Sequence, residues 1–155
     1  MLGLDPTLIL HHLNISLEVK LVKQTFRKMH PHIALLLKAE LEKSVNTNFI
    51  QPLAYASWIS NIVPISKKNG SIHICIDFLD VNKACPKDDF PLPNIDTIVD
   101  LTVDHSIFSL MDGFLGYNQI RIAPEDQEKI AFTCAWGTFC WNMIPFGMKN
   151  AGATY

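Results

Sequence analysis

Apolar side chains recur at helical spacing in one stretch of this chain and alternate at strand spacing in several others. From Pro31 onward, Ile33, Leu37, Leu41 and Val45 fall every four residues, Leu36 widens the stripe, and Lys38, Glu40, Glu42 and Lys43 colour the opposite face. Proline suits a first helical turn because its missing N–H would have had no partner there, and Asn46 or Asn48 suits a helix end. The spacing predicts a helix over about 31–46. Upstream, Leu13-Asn14-Ile15-Ser16-Leu17-Glu18-Val19 alternates like a strand or like an arm extended along the surface.

Beyond a loop holding Pro52 and Trp58, the runs Asn61-Ile62-Val63-Pro64-Ile65 and Ile72-His73-Ile74-Cys75-Ile76 flank Lys67-Lys68-Asn69-Gly70-Ser71. Asn-Gly tolerates positive φ at low cost, so the pattern predicts a tight hairpin that projects two lysines. Pro64 has no N–H to give a neighbour, which makes its strand an edge or a bulged one. A proline-punctuated surface loop follows over 82–93, then a short helix capped by Asn94 and carrying Ile95, Ile98 and Val99. Ser106–Gly113 reads as an apolar strand ending in Asp112 and a glycine. Further strands are expected at 118–123, 130–134 and 138–143, with Pro124–Glu128 a polar turn or helical start. Together these predict an α+β fold. The final stretch, Pro145–Tyr155, reads as a loop entering a helix cut off in its first turns. A domain stopping there is expected to have lost a partner surface of its own core.

The chain has 155 residues, enough for one ordinary domain, and its 13 basic against 15 acidic side chains leave a net charge of -2. Residues 1–50 carry six basic and four acidic groups, residues 51–155 seven and eleven. A nucleic acid would therefore have to be held by local groups, since the field of the whole chain slightly repels it. No apolar run approaches the roughly 20 residues of a membrane-spanning helix. The opening Met1-Leu2-Gly3-Leu4-Asp5-Pro6 has no basic start, and Asp5, Pro6, His11 and His12 break its apolar stretch, so an intracellular, unsecreted protein without a membrane partner is expected. Cys75, Cys85, Cys134 and Cys140 show no Cys-x-x-Cys pair and read as reduced structural thiols. Neither His11-His12 nor His30-Pro31-His32 has the i, i+4 spacing that aims two imidazoles at one ion, and no zinc is assigned.

Asp112 is the sharpest candidate for chemistry. A carboxylate at the end of a buried strand, followed by a glycine, can hold a divalent cation against a substrate phosphate, although a strand-ending aspartate in a plain turn has the same look. One acid also makes no two-metal site. Lys67 and Lys68 can meet phosphates or simply solvate a hairpin tip. Tyr117 can stack on a sugar or base, or pack in the core, while Trp58, Trp136 and Trp141 read as packing residues. Phe146-Gly147 allows a close backbone approach to a ligand, or is an ordinary loop.

In order along the chain stand Trp58-Ile59-Ser60-Asn61-Ile62-Val63, Lys67-Lys68-Asn69-Gly70, Cys75-Ile76-Asp77-Phe78 and Leu79-Asp80-Val81-Asn82-Lys83-Ala84-Cys85-Pro86-Lys87-Asp88. After them come Phe90-Pro91-Leu92-Pro93-Asn94-Ile95-Asp96, Phe108-Ser109-Leu110-Met111-Asp112, Gly116-Tyr117-Asn118-Gln119-Ile120-Arg121 and Met143-Ile144-Pro145-Phe146-Gly147-Met148-Lys149-Asn150-Ala151-Gly152-Ala153-Thr154. This series closely resembles the reverse transcriptase of Ty3/gypsy-type LTR retrotransposons, with the plant branch the nearest match, and the resemblance runs from about Leu2 to Tyr155.

The resemblance implies the fingers and first part of the palm of a right-hand polymerase, which copies an RNA or DNA template-primer from dNTPs with Mg2+ or Mn2+. It divides the chain into an N-terminal arm and helix (about 1–48), fingers (about 49–105) and the start of the palm (about 106–155). Asp112 then matches the first catalytic, metal-binding aspartate. Tyr117 matches the aromatic gate under the incoming sugar. Lys67 and Lys68 lie on the hairpin over the triphosphate, and Phe146 and Gly147 beside nucleotide and template. Two departures stand out. Ser71-Ile72-His73 replaces the Lys-Trp-Arg usual in the family, so His73 takes the place of an arginine that reaches the nucleotide phosphates, and an imidazole lacks the guanidinium's fork of donors. The Tyr-x-Asp-Asp motif that supplies the other carboxylates does not occur in the 155 residues. The chain alone is therefore expected to be inactive as a polymerase. A non-catalytic nucleic-acid-binding remnant and a domesticated structural protein remain as other readings.

Overall fold

The computed structural model describes residues 3–68, 70–91, 93–109, 113 and 115–155. Leu110, Met111, Asp112 and the hairpin Asn69 lie outside the described residues. Helix α1 (Pro31–Asn46) has the predicted limits. Its proline sits in the first turn, the His30 side chain accepts from the His32 N–H at 3.4 Å, and Leu37 and Leu41 turn inward. Those leucines meet Ile50, Ile62, Phe132 and Cys134, which project from one face of a sheet.

That sheet contains β2 (Ile50–Pro52), β3 (Ile59–Ser66), β4 (Ile72–Ile76), β6 (Ala131–Cys134) and β7 (Gly137–Trp141), in the order β2-β7-β6-β3-β4. All pairs are antiparallel except β3 with β6. Pro64 is accommodated because β6 pairs only with Ile59–Asn61, so the outer half of β3 is an edge on the side facing away from β4. A second, two-stranded parallel pair joins β1 (Leu10–His11) to β5 (Arg121–Ile122). A second apolar group, with Leu13, Trp58, Val81, Ile120, Ile122, Ile144 and Met148 among its members, ties the N-terminal arm to the later part of the chain.

The arm is an irregular strap rather than a strand over 13–19. Leu13 is buried while Leu17 is fully exposed, because only part of the alternating face finds a partner. Polar groups hold it. Gln24 N–H donates to the Ile59 carbonyl (2.9 Å) and Ile59 N–H to the Val22 carbonyl (3.0 Å). Buried Asn61 donates to the Thr25 carbonyl at 2.8 Å and accepts from the Arg27 N–H at 3.2 Å, so both ends of its amide are satisfied. Leu13 N–H donates to the buried carboxylate of Asp126, which also pairs with Lys129.

Several expectations are corrected. Ser106–Ser109 is not a strand: Ile107 and Phe108 are exposed, and among the described residues no strand lies alongside to take their backbone groups. The strand expected over 118–123 shrinks to β5, because residues Gly116–Gln119 wind into a 3-10 turn. Helix α2 (Leu79–Ala84) and strand β2 were not anticipated, the former being only six residues long and the latter three. Helix α3 (Ile95–Thr102) forms as expected, with Asn94 accepting from the Asp96 N–H at 3.1 Å, but it buries none of its residues. Trp58 and Trp141 pack as expected, while Trp136 is 40% exposed. Pro124–Ile130 is a 3-10 segment, and α4 (Ala151–Thr154) begins after Asn150. No helix among the described residues is long and apolar enough to cross a membrane.

His11 is buried, and that burial lowers its pKa; nearby Asp126 opposes the effect and His12 adds to it. A histidine whose folded pKa lies below its unfolded value favours the neutral form, so its share of stability is complete above about pH 6.5 and is lost as pH falls from there toward the folded value. The slope from one such proton is at most about 1.4 kcal/mol per pH unit. Urea midpoints measured at pH 7.5 and pH 5.5 are expected to fall on acidification, and less so in His11→Asn. An equal fall in both proteins would assign the dependence to other groups.

Candidate nucleotide and template face

Three of the sequence-selected residues meet. Phe146 lies between His73 on β4 and Tyr117 on the 3-10 turn, with ring centroids 6.4 Å from the imidazole and 6.0 Å from the phenol. The Tyr117–Phe146 pair is edge-on, the arrangement in which aromatic quadrupoles attract. Beside the row, a cavity of about 260 Å³ opens between α1 and the sheet, lined by Lys43, Phe49, His73, Asn118, Trp141 and Phe146.

The geometry of 145–150 follows from its backbone. Gly147 has φ +92°, a left-handed value that disfavours any side chain, and its carbonyl accepts from the Asn82 amide at 2.7 Å. The Asn82 side-chain oxygen accepts in turn from the Lys149 N–H at 2.8 Å. Lys149 Nζ donates to the Cys85 carbonyl (2.7 Å) and Asn150 Nδ2 to the Pro86 carbonyl (2.8 Å). This set pins Phe146 and Gly147 against α2 and the loop after it. Asn82, Lys149 and Asn150 stood in the motifs without an assigned role, and no local pattern marks side chains that bridge segments more than 60 residues apart.

Tyr155 was missed altogether. Its ring packs edge-on against Tyr117 with centroids 5.4 Å apart, and its hydroxyl lies directly over Gly113, in the space a Cβ there would take. A side chain at 113 would displace the Tyr155 ring. No local signal links residues so distant in sequence.

Lys67 and Lys68 stand exposed on the hairpin, where Lys67 N–H donates to the Ser71 carbonyl at 2.8 Å. His73 pairs with Ile65, which puts the Lys67 backbone roughly 7 Å further along the hairpin from the aromatic row. The lysines are therefore on the same hairpin as His73 but outside the ring contacts of the row. Asp112 lies outside the described residues. Among those that are described, no group of three or more His, Cys, Asp or Glu side chains converges as a metal site would. All four cysteines are free, and burial pushes the thiols of Cys85, Cys134 and Cys140 up, as suits inert packing groups.

The family model described as reverse transcriptase (RNA-dependent DNA polymerase) matches residues 65–155. An RNA-directed DNA polymerase homolog of Oenothera berteroana is 34% identical over 85 residues, covering 55% of this chain and 60% of its own length. The enzymatic polyprotein of cauliflower mosaic virus (strain Strasbourg) is 34% identical over 89 residues, which is 57% of this chain and 13% of the polyprotein. Among solved structures, native prototype foamy virus protease-reverse transcriptase superposes with a TM-score of 0.75 at 19% identity, covering 92% of this chain and 19% of that one. The foamy viral protease-reverse transcriptase in complex with RNA/DNA hybrid gives 0.67 at 16%, covering 89% and 19%. The architecture is that of the fingers and palm of these enzymes, of which the chain spans only a part. By the family model, which takes in more than half of its residues, the chain belongs to the reverse transcriptase (RNA-dependent DNA polymerase) family.

Proposed function

We propose that the chain contributes the fingers (about 49–105) and the opening of the palm (about 106–155) to an RNA-directed DNA polymerase of an LTR retrotransposon, Ty3/gypsy in type and plant-like. The observation that carries this reading is the ring contact of His73, Phe146 and Tyr117, drawn from three separate segments to one face. On that face Tyr117 would lie under the incoming sugar, Phe146 and Gly147 would flank nucleotide and template, and Lys67 and Lys68 would close over the triphosphate as mobile point charges. His73 offers an imidazole where an arginine fork would grip phosphate, so the hold on the nucleotide rests more on the lysines and on stacking.

Mg2+ or Mn2+ belongs to the complete domain on this reading, with Asp112 as this chain's ligand. The described residues do not build a metal site by themselves. What these residues do is bind, orient and exclude: the aromatic row offers stacking surface, and Gly147, free to take its positive φ, presents backbone without a side chain in the way.

A labelled template-primer tests the nucleic-acid side. Its anisotropy with the 155-residue protein is expected to report salt-sensitive binding. Each lysine that meets a duplex phosphate adds about 0.9 to the slope of log K against log salt, so changing both Lys67 and Lys68 to alanine lowers the slope by up to about 2. Binding indifferent to salt and to both lysines would remove the hairpin from the interface. The exposed lysine pair equally favours the second reading, a binding remnant without catalysis, which differs in that no longer form of the chain would incorporate nucleotide.

A further inference from the structure

His11 is the least explained polar group in the molecule. It is 1% exposed, and among the described residues its Nε2 has no hydrogen-bond partner. Its Nδ1 lies 2.8 Å from the Thr154 hydroxyl in α4. Thr154 Oγ1 in turn reaches the Asn150 carbonyl at 3.4 Å. With the hydroxyl proton directed along the helix, the imidazole donates from Nδ1, and the orphan Nε2 is a bare acceptor, the less costly group to leave unpaired. The backbone of the same residue is fixed separately: His11 pairs with Ile122 in the β1–β5 ladder, and its carbonyl accepts from the Ala123 N–H at 2.9 Å. A single residue thus ties the N-terminal strand to the end of α4.

The next residue after Thr154 is Tyr155, which packs against Tyr117 and over Gly113. Helix α4 spans Ala151–Thr154, so the bond from His11 falls on the residue that precedes Tyr155. On its other side, the Tyr117 hydroxyl faces Gly152, where a Cβ would stand 3.8 Å away.

We propose that His11 is a positioning residue for Tyr117: through its hydrogen bond to Thr154 it orients α4 and Tyr155, and so fixes the ring taken above as the sugar gate. This rests on the polymerase reading for what Tyr117 does, but not for whether His11 controls it. A hydrophobic residue would fill the same space without directing the helix, and an unpaired ring nitrogen in the core is otherwise an unrepaid cost.

The chain holds three tyrosines, Tyr55, Tyr117 and Tyr155, and Tyr55 is 88% exposed, which makes it an internal reference. In the 155-residue protein carrying ring-labelled tyrosine and tryptophan, His11→Ala is expected to move the NMR signals of Tyr117 and Tyr155 and leave those of Tyr55 and the Trp58 indole in place. His11→Asn, whose amide occupies about the position of Nδ1, is expected to restore them. Should His11→Ala fail to fold, Thr154→Val removes the same bond from the other side and is expected to give the same displacement. Unmoved Tyr117 and Tyr155 signals in either variant would overturn the proposal. So would a general shift that includes Trp58 and that asparagine does not rescue, since that is the mark of a merely structural histidine. Titration of the wild-type protein with dATP keeps the two questions apart: a Tyr117 signal blind to nucleotide counts against the gate, whereas the effect of His11 on that ring stands or falls without any nucleotide.

Discussion

Phe132→Ala is expected to cost about 3–5 kcal/mol, the usual range for removing a buried aromatic ring. The ring is 0% exposed in β6, near the middle of the five-stranded sheet. It stacks on Phe139 at 6.0 Å and 24° and leans on Trp141 at 6.0 Å, with Leu37 and Leu41 of α1 in the same apolar group. Neither the helix nor the paired strands can move in to fill the hole, because each is held by its own ladder or by the opposite face. Since small domains carry only about 5–15 kcal/mol in total, the loss is a large fraction of what holds this one together. Urea unfolding followed by circular dichroism should show a much lower midpoint, or no cooperative transition, while Phe132→Leu should retain most of the stability. An unchanged midpoint in the alanine variant would mean that this ring is not the keystone of the α1 layer.

Helix α1 was legible to the residue because everything it needs is local: a proline at the start, a four-residue apolar repeat and charges opposite. The hairpin of β3 and β4 was legible for the same reason, since Asn-Gly and the alternating runs report on themselves. What escaped is what depends on distant partners. Ser106–Ser109 has the composition of a buried strand, but composition cannot say whether a neighbouring strand is there to pair with it. Residues 118–119 alternate plausibly, yet Leu115 in a left-handed conformation starts a 3-10 turn that places Tyr117 on the aromatic row. The row itself could be named residue by residue from the family likeness, but the contact between Tyr155 and Gly113 joins segments with no shared pattern. His11 is a similar case: a His-His pair invites thoughts of metal, and only the fold shows one ring buried against α4 and the other, His12, half-exposed beside Glu125 at 3.4 Å.

The second large effect concerns Asp112. If this chain supplies one carboxylate of a catalytic set, removing it from a polymerase that contains the rest should reduce incorporation by roughly 10⁴-fold or more, because members of such a set act as a unit. On the same reasoning the 155 residues by themselves are expected to incorporate no nucleotide, since Asp112 without the carboxylates of a Tyr-x-Asp-Asp segment is one ligand of a set that acts as a unit. Substitutions in the row should behave differently from Asp112→Asn, altering the choice of nucleotide before they extinguish the reaction.

Template-directed incorporation of a labelled dNTP, with Mg2+ or Mn2+ present, decides the matter when three proteins are compared: the 155-residue chain, the chain continued through a Tyr-x-Asp-Asp segment, and that longer chain carrying Asp112→Asn. We expect no extension from the first, primer extension from the second and its loss in the third. Extension by the 155-residue chain itself, or by a longer chain indifferent to Asp112→Asn, would show that the chemistry does not reside where the fingers and palm of this chain put it.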